Sequence, residues 1–169
     1  ILLESGSIIQ LGMIEIEHGT LFIRHAASLA MQPSGMFLPG MDDRTNYARR
    51  VPHGVVGVIS PFNFPLVLSV RSIAAAIALG NTAVHKPDPR TPISGGIIIA
   101  RIFEEAGLPK GVLHVVPGGA DAGIACGAAA AIASNSHRPE AGLLQESCRS
   151  GALAAMVFYQ AFSLAPRHA

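Results

Sequence analysis

The chain has 169 residues, half of them hydrophobic and 14% charged, with a formal net charge of +1. That length holds one domain with a real core, and so apolar a composition excludes a disordered chain. Charge this close to zero, without blocks of like sign, excludes the electrostatic footprint of a nucleic-acid or anionic-membrane binder.

Two cysteines, Cys126 and Cys148, make no disulfide framework; with no signal peptide to read, they fit a reducing cytoplasm. Residues 1–31 mix Ile, Leu and Met with Glu, Gln, His and Arg at helical spacing, which predicts an inward stripe of Ile14, Leu21, Ile23 and Leu29. Gly12 and Gly19 each cost a helix about 1 kcal/mol relative to Ala, so one broken helix or two short ones are expected. Residues 33–50 are rich in turn formers and read as a loop with some strand character. The best-specified part alternates strand and helix: 54–60, 66–79, 82–86, 92–106 and 112–116. Thr91 is placed as an N-cap with Pro92 at the first helical position, and Gly107 as a helix stop. Such alternation predicts a parallel sheet with right-handed crossovers. An Ala-rich helix follows over 120–133, opened by Asp121; 134–150 is polar and turn-like. Residues 151–165 are apolar without a clean period, too short to span a bilayer and interrupted by Gln160.

Asn63 and Lys86 thus fall just past the carboxyl ends of two strands, the edge where open α/β sheets bind ligands. The run Ile59-Ser60-Pro61-Phe62-Asn63-Phe64-Pro65, followed by Gly80-Asn81, Lys86-Pro87 and Thr91-Pro92, resembles the aldehyde dehydrogenase family. Gly107-Leu108-Pro109, Gly111-Val112-Leu113 and Val115-Val116-Pro117-Gly118 continue the likeness in order. Arg49-Arg50-Val51-Pro52, Asp88-Pro89-Arg90 and Ile93-Ser94-Gly95-Gly96 look most like benzaldehyde and related aromatic aldehyde dehydrogenases within it. The resemblance covers residues 35–123 well and the first 30 loosely, and fades beyond Gly123. It implies an α/β fold, a Rossmann-like parallel sheet with flanking helices forming an incomplete cofactor-binding domain. Residues 1–123 are expected to be part of that dinucleotide-binding domain, and 124–169 a divergent tail, either native or frameshifted.

Asn63 carries a side-chain amide N–H, and one such donor to a forming oxyanion is worth about 3 to 4 kcal/mol. The resemblance gives Asn63 that role toward the hemithioacetal of an aldehyde and a cysteine. Taken by itself, Asn63 reads more readily as a turn asparagine. The resemblance has Lys86 bonding a ribose hydroxyl of NAD(P); by itself it is a solvated lysine at a strand end. Many relatives have a glutamate three residues after that lysine, where this chain has Pro89. Asp88 is then a candidate acceptor for a ribose 2′-hydroxyl, and Arg90 a candidate partner for a 2′-phosphate. NAD is expected, with NADP open. Ile59, Ser60, Pro61 and Phe62 are expected to line the cofactor cleft, and Gly118-Gly119 to let backbone at Gly119 approach the adenosine. No Gly-x-Gly-x-x-Gly fingerprint occurs.

Oxidation of an aldehyde by this route needs a nucleophilic cysteine and a base. The family places both after the matched region, and neither Cys126 nor Cys148 lies in its Gly-Gln-x-Cys setting. Both read as structural or surface thiols. The glycine turn that should follow the third strand is absent too, and the seven histidines have no metal-ligand spacing. Three readings stand. The first is part of an NAD(P)-dependent aromatic aldehyde dehydrogenase, homo-oligomeric when complete, acting on a small aldehyde and inactive as this chain alone. The second is a nucleotide-binding or assembly module without turnover. The third is a truncated or frameshifted gene product.

Overall fold

The computed structural model describes residues 1–39 and 45–135. In chain order the elements are α1 (Leu2–Ser5), α2 (Ile9–Ala30), β1 (Gly35–Leu38), β2 (Asn46–Arg49), β3 (Val55–Ile59) and α3 (Pro65–Ala78). Then come β4 (Thr82–Lys86), a π-helical turn (Ile93–Ile97), α4 (Ile98–Glu105), β5 (Leu113–Val115) and α5 (Ala120–Asn135). None of the described helices is long and apolar enough to cross a membrane.

β3, β4 and β5 form a parallel sheet in that order, with Val58 beside His85, Ile59 beside Lys86 and Ala83 beside Leu113. Side chains alternate faces along a strand. Val56 and Val58 of β3 and Leu113 of β5 join Val70, Ile73 and Ala74 of α3, Ile99 and Phe103 of α4, and Ala26 of α2 in one core. On the other face, the Cys126 thiol of α5 lies 3.5 Å from the Val84 carbonyl. The predicted α/β architecture is therefore present, with α5 extending to Asn135.

Both crossover helices stop where the sequence said they would. At the end of α3, Gly80 has φ +83°, its N–H reaches the Ile77 carbonyl at 2.9 Å, and Asn81 N–H reaches Ala76 at 3.0 Å. The Asn81 side-chain oxygen then accepts the N–H groups of His53 (2.7 Å) and Gly54 (3.1 Å), tying the helix exit to the start of β3. Gly107 (φ +89°) ends α4 in the same way, with Leu108 N–H on the Phe103 carbonyl at 3.0 Å.

Expectations for α2 and for the helix after Pro92 are corrected. α2 runs unbroken for 22 residues through Gly12 and Gly19, and the break falls earlier, at Gly6 (φ 67°). Its buried face is Gly12, Glu15, Gly19 and Ala26, while Ile14, Leu21 and Ile23 are exposed. Small residues let α2 lie close on α3, and that contact outweighs their weak helix propensity. The strand character expected in 33–50 is present: β1 and β2 pair antiparallel from Gly35 beside Arg49 to Leu38 beside Asn46. The helix expected from Pro92 opens as the π-helical turn, and Thr91 does not cap it: its hydroxyl is buried without a partner among the described residues. The turn packs closely on its neighbours. A Cβ on Gly96 would lie 2.8 Å from Pro87 Cγ, and one on Gly95 would lie 3.1 Å from Pro65 Cβ. Cys148 and the segments 136–150 and 151–165 lie outside the described residues.

Candidate cofactor site at the carboxyl edge of the sheet

β3 and β4 end side by side, so the turns that follow them meet. The Ser60 N–H bonds the Lys86 carbonyl at 3.3 Å. Ser60 is buried, and its hydroxyl lies 2.7 Å from that of Ser69, which also donates to the Pro65 carbonyl at 2.7 Å. Its side chain therefore anchors the turn to α3 instead of facing a cleft. Pro61 is half-buried, and Phe62 and Asn63 are exposed. The Asn63 amide has no hydrogen-bond partner among the described residues, so the turn role that would explain it locally is absent.

The turn is held from below by Glu15. Pro65 opens α3 and has no N–H to lose. The next two donors, Leu66 N–H and Val67 N–H, reach Glu15 Oε2 at 2.8 and 3.3 Å. Glu15 is fully buried and its Oε1 has no partner among the described residues. Burial pushes its carboxyl up, against the two N–H donors that pull it down. Glu4 does the same for the turn leading into α4, accepting Ile93 N–H at 2.8 Å and Ser94 N–H at 2.6 Å. Burial raises Glu4, yet the bonds from Ser94 and Ile93 outweigh it and hold it below the usual carboxylate range. Two helix N-termini that could attract a phosphate are thus already filled by carboxylates from the N-terminal helices. Neither glutamate was singled out from the sequence. For Glu15 the local signal is its place among the small residues of the buried face, Gly12, Gly19 and Ala26.

Lys86 is 7% exposed and has no ion pair or hydrogen bond among the described residues. Its stem runs beside α5, where a Cβ on Gly123 would lie 3.9 Å from Lys86 Cδ. The solvated strand-end lysine is therefore corrected: the stem is covered and only the ammonium is left to meet a ligand. Behind it His85 is fully buried, with Nε2 2.7 Å from the Gly95 carbonyl and Nδ1 3.2 Å from that of Val58. Burial pushes His85 down, against the two carbonyls that favour its charged form.

Asp88 and Arg90 are paired. Arg90 Nε lies 2.9 Å from Asp88 Oδ1, Nη2 lies 3.1 Å from Oδ2, and Arg90 N–H donates to Oδ1 at 3.0 Å. The Arg90 guanidinium beside Asp88 holds its carboxyl below the usual range. The same guanidinium lies over the Phe62 ring, 3.4 Å from the centroid, and so bridges the two turns. At the third strand, Gly119 opens α5 with free space around it, whereas a Cβ on Gly118 would lie 2.6 Å from Ala122 Cβ. Gly118 is the glycine that packing demands. Cys126 is buried, and burial pushes its thiol up, away from the thiolate a nucleophile needs.

The aldehyde dehydrogenase family model matches residues 1–134. The chain belongs to the aldehyde dehydrogenase family. It is 57% identical over 122 residues to a vanillin dehydrogenase of Amycolatopsis sp., which covers 72% of this chain and 25% of that protein. It is 50% identical over 121 residues to a benzaldehyde dehydrogenase [NAD(+)] of Pseudomonas putida, covering 71% of this chain and 25% of that one. The crystal structure of an NAD-dependent benzaldehyde dehydrogenase from Corynebacterium glutamicum superposes with a TM-score of 0.70 at 44% identity, over 74% of this chain and 28% of that chain. The chain therefore spans about a quarter of the length of the aldehyde dehydrogenases it matches.

Proposed function

We propose that this chain supplies part of the cofactor-binding domain of an NAD(P)-dependent aldehyde dehydrogenase that oxidises an aromatic aldehyde to its acid. The observation that carries this is the pair of side chains, Asn63 and Lys86, unpartnered among the described residues, at the ends of adjacent strands held in register through Ile59 and Lys86. The residues at this edge suit a nicotinamide dinucleotide. Lys86 offers an ammonium to a ribose hydroxyl, Ile59, Pro61 and Phe62 offer apolar surface, and Gly119 offers open backbone.

A bound dinucleotide supplies the hydride acceptor. A cysteine thiolate from another part of the enzyme attacks the aldehyde carbon, and the carbonyl oxygen takes up the electron pair as an oxyanion. The Asn63 amide N–H donates to that oxyanion, lowering the barrier by about 3 to 4 kcal/mol. Glu15 and Ser60 hold the turn so that the donor is in place before the charge forms. The buried Cys126, with its raised thiol, does not serve as nucleophile. The complete enzyme is a cytoplasmic homo-oligomer in this reading, with residues 1–123 in the dinucleotide-binding domain.

Calorimetric titration of NAD⁺ into the purified chain tests the proposal. Binding that Lys86→Met abolishes, with no NADH formed from benzaldehyde, is the expected result. Absence of binding, or turnover by the chain itself, overturns it.

A further inference from the structure

Asn63 acts as a preformed donor only if the turn that carries it holds still, because a donor that must reorganise as charge forms gives up much of its effect. Most of that turn is fixed by the residues themselves. Ser60 is buried, with its hydroxyl on Ser69 and its N–H on the Lys86 carbonyl. Pro61 has its φ locked by the ring. Phe64 precedes a proline, which keeps it out of the helical region, and it sits at φ −140° and ψ 69°. Pro65 is fully buried, and Glu15 holds the N–H groups of the two residues after it. That leaves the backbone of Phe62 and Asn63. Both are exposed, and neither makes a hydrogen bond among the described residues.

One directional contact reaches this free stretch. The Arg90 guanidinium lies over the Phe62 ring, 3.4 Å from its centroid. Arg90 is itself held. Its Nε and Nη2 lie 2.9 and 3.1 Å from the two Asp88 oxygens, and its N–H donates to Oδ1 at 3.0 Å. A fork gripped in this bidentate way presents its flat face in one orientation. The turn beneath the fork is fixed as well: Pro87 is fully buried, and Thr91 N–H bonds the Asp88 carbonyl at 3.1 Å. Phe62 is therefore tied to a turn that β4 sets, and Asn63 is the next residue along.

We infer that Arg90, acting through the Phe62 ring, is a positioning residue for Asn63: it removes the last freedom of the turn and presets the donor for the oxyanion. This rests on the reading of Asn63 as that donor. Arg90 touches no reacting atom, and Asp88 acts one step further back by orienting the fork. Both partners of the stack are exposed, so the contact shifts the ratio of held to released turn by about two- to fivefold. The effect is local and leaves the fold intact.

The test is nitrogen NMR relaxation on the full chain, read at the backbone N–H of Phe62 and Asn63 and at the Asn63 side-chain amide, alongside thermal unfolding. In Arg90→Ala and in Phe62→Leu the order parameters at Phe62 and Asn63 are expected to fall from the rigid range near about 0.85 toward the flexible range below about 0.6. Those of Ser69 and Val70 on α3, and the Tm, should stay as they are. Phe62→Tyr keeps the ring and should keep the order. Arg90→Lys keeps a cation without the fork and should fall between. Unchanged order at Asn63 in both Arg90→Ala and Phe62→Leu overturns the inference. So does a loss in Phe62→Tyr as large as that in Phe62→Leu. A fall in Tm with loss of order along α3 overturns it too, since that marks a contact that only supports the fold. The dinucleotide reading fails separately: a native chain that binds no NAD⁺ while Asn63 is ordered overturns that reading and leaves the clamp standing.

Discussion

Glu15 on α2 accepts the backbone N–H of Leu66 at 2.8 Å, across a separation of 51 positions in the sequence. A helix that packs on the outside of the domain thereby sets the first turn of α3, and with it the turn that carries Asn63. Glu15→Ala is expected to destabilise the chain by about 1 to 3 kcal/mol, the cost of leaving buried donors unpaired. Glu15→Gln, which keeps an acceptor, should lose less. Urea unfolding followed by circular dichroism reads both; equal, negligible losses would mean that water replaces the cap.

The same carboxyl gives a signed pH dependence. Its value in the folded chain is raised by burial above the ordinary 4.5. Its contribution is fully present below the unfolded value and is lost as pH rises through the raised one. Stability should therefore decline over the range above 4.5 in the native chain and decline less in Glu15→Gln. A series of urea midpoints at increasing pH shows whether the two curves converge on the acid side.

His85 acts with the opposite sign. Burial depresses it below its ordinary 6.5, so the neutral ring is the form that the fold prefers. Its contribution is present above 6.5 and is lost as pH falls through the depressed value. The shorter contact, 2.7 Å to the Gly95 carbonyl, assigns the proton of the neutral ring to Nε2. Nitrogen NMR shifts of His85 should report that tautomer near neutral pH. Acid sensitivity should shrink in His85→Gln, whose amide can still donate.

Two glycine substitutions are expected to differ in sign. A Cβ on Gly96 would press on Pro87 Cγ at 2.8 Å and on Val115 Cγ1 at 3.0 Å, so Gly96→Ala should cost about 1 to 3 kcal/mol. A Cβ on Gly19 would meet Leu66 at 3.7 Å, an ordinary contact, so Gly19→Ala should stabilise by up to about 1 kcal/mol through helix propensity. Thermal unfolding of the two variants side by side decides the point.

Asn63→Ala should leave stability within about 0.5 kcal/mol, because the side chain is exposed and bonds nothing among the described residues. A drop of several degrees in Tm would reveal a structural turn asparagine in place of a free donor.

The sequence by itself determined the alternation of strands and helices, because short β-branched runs, Ala-rich stretches and left-handed glycines act locally. Gly80 and Gly107 stop their helices through bonds only a few residues away. It also marked Asn63 and Lys86 as strand-end residues, since both follow directly from where β3 and β4 stop. Only the tertiary structure decided which face of α2 is buried, because Glu15 and Gly19 face Leu66 of α3, and Gly12 faces Leu2 of α1, for reasons of close approach that apolar spacing does not encode. It alone placed Glu15 and Glu4 under two helix N-termini 51 and 89 positions away. It alone closed Asp88 onto Arg90 and set Arg90 over Phe62, joining two turns that are neighbours only because their strands lie side by side. Local propensity is written residue by residue; long-range hydrogen bonds and stacking exist only once the sheet has brought distant residues together.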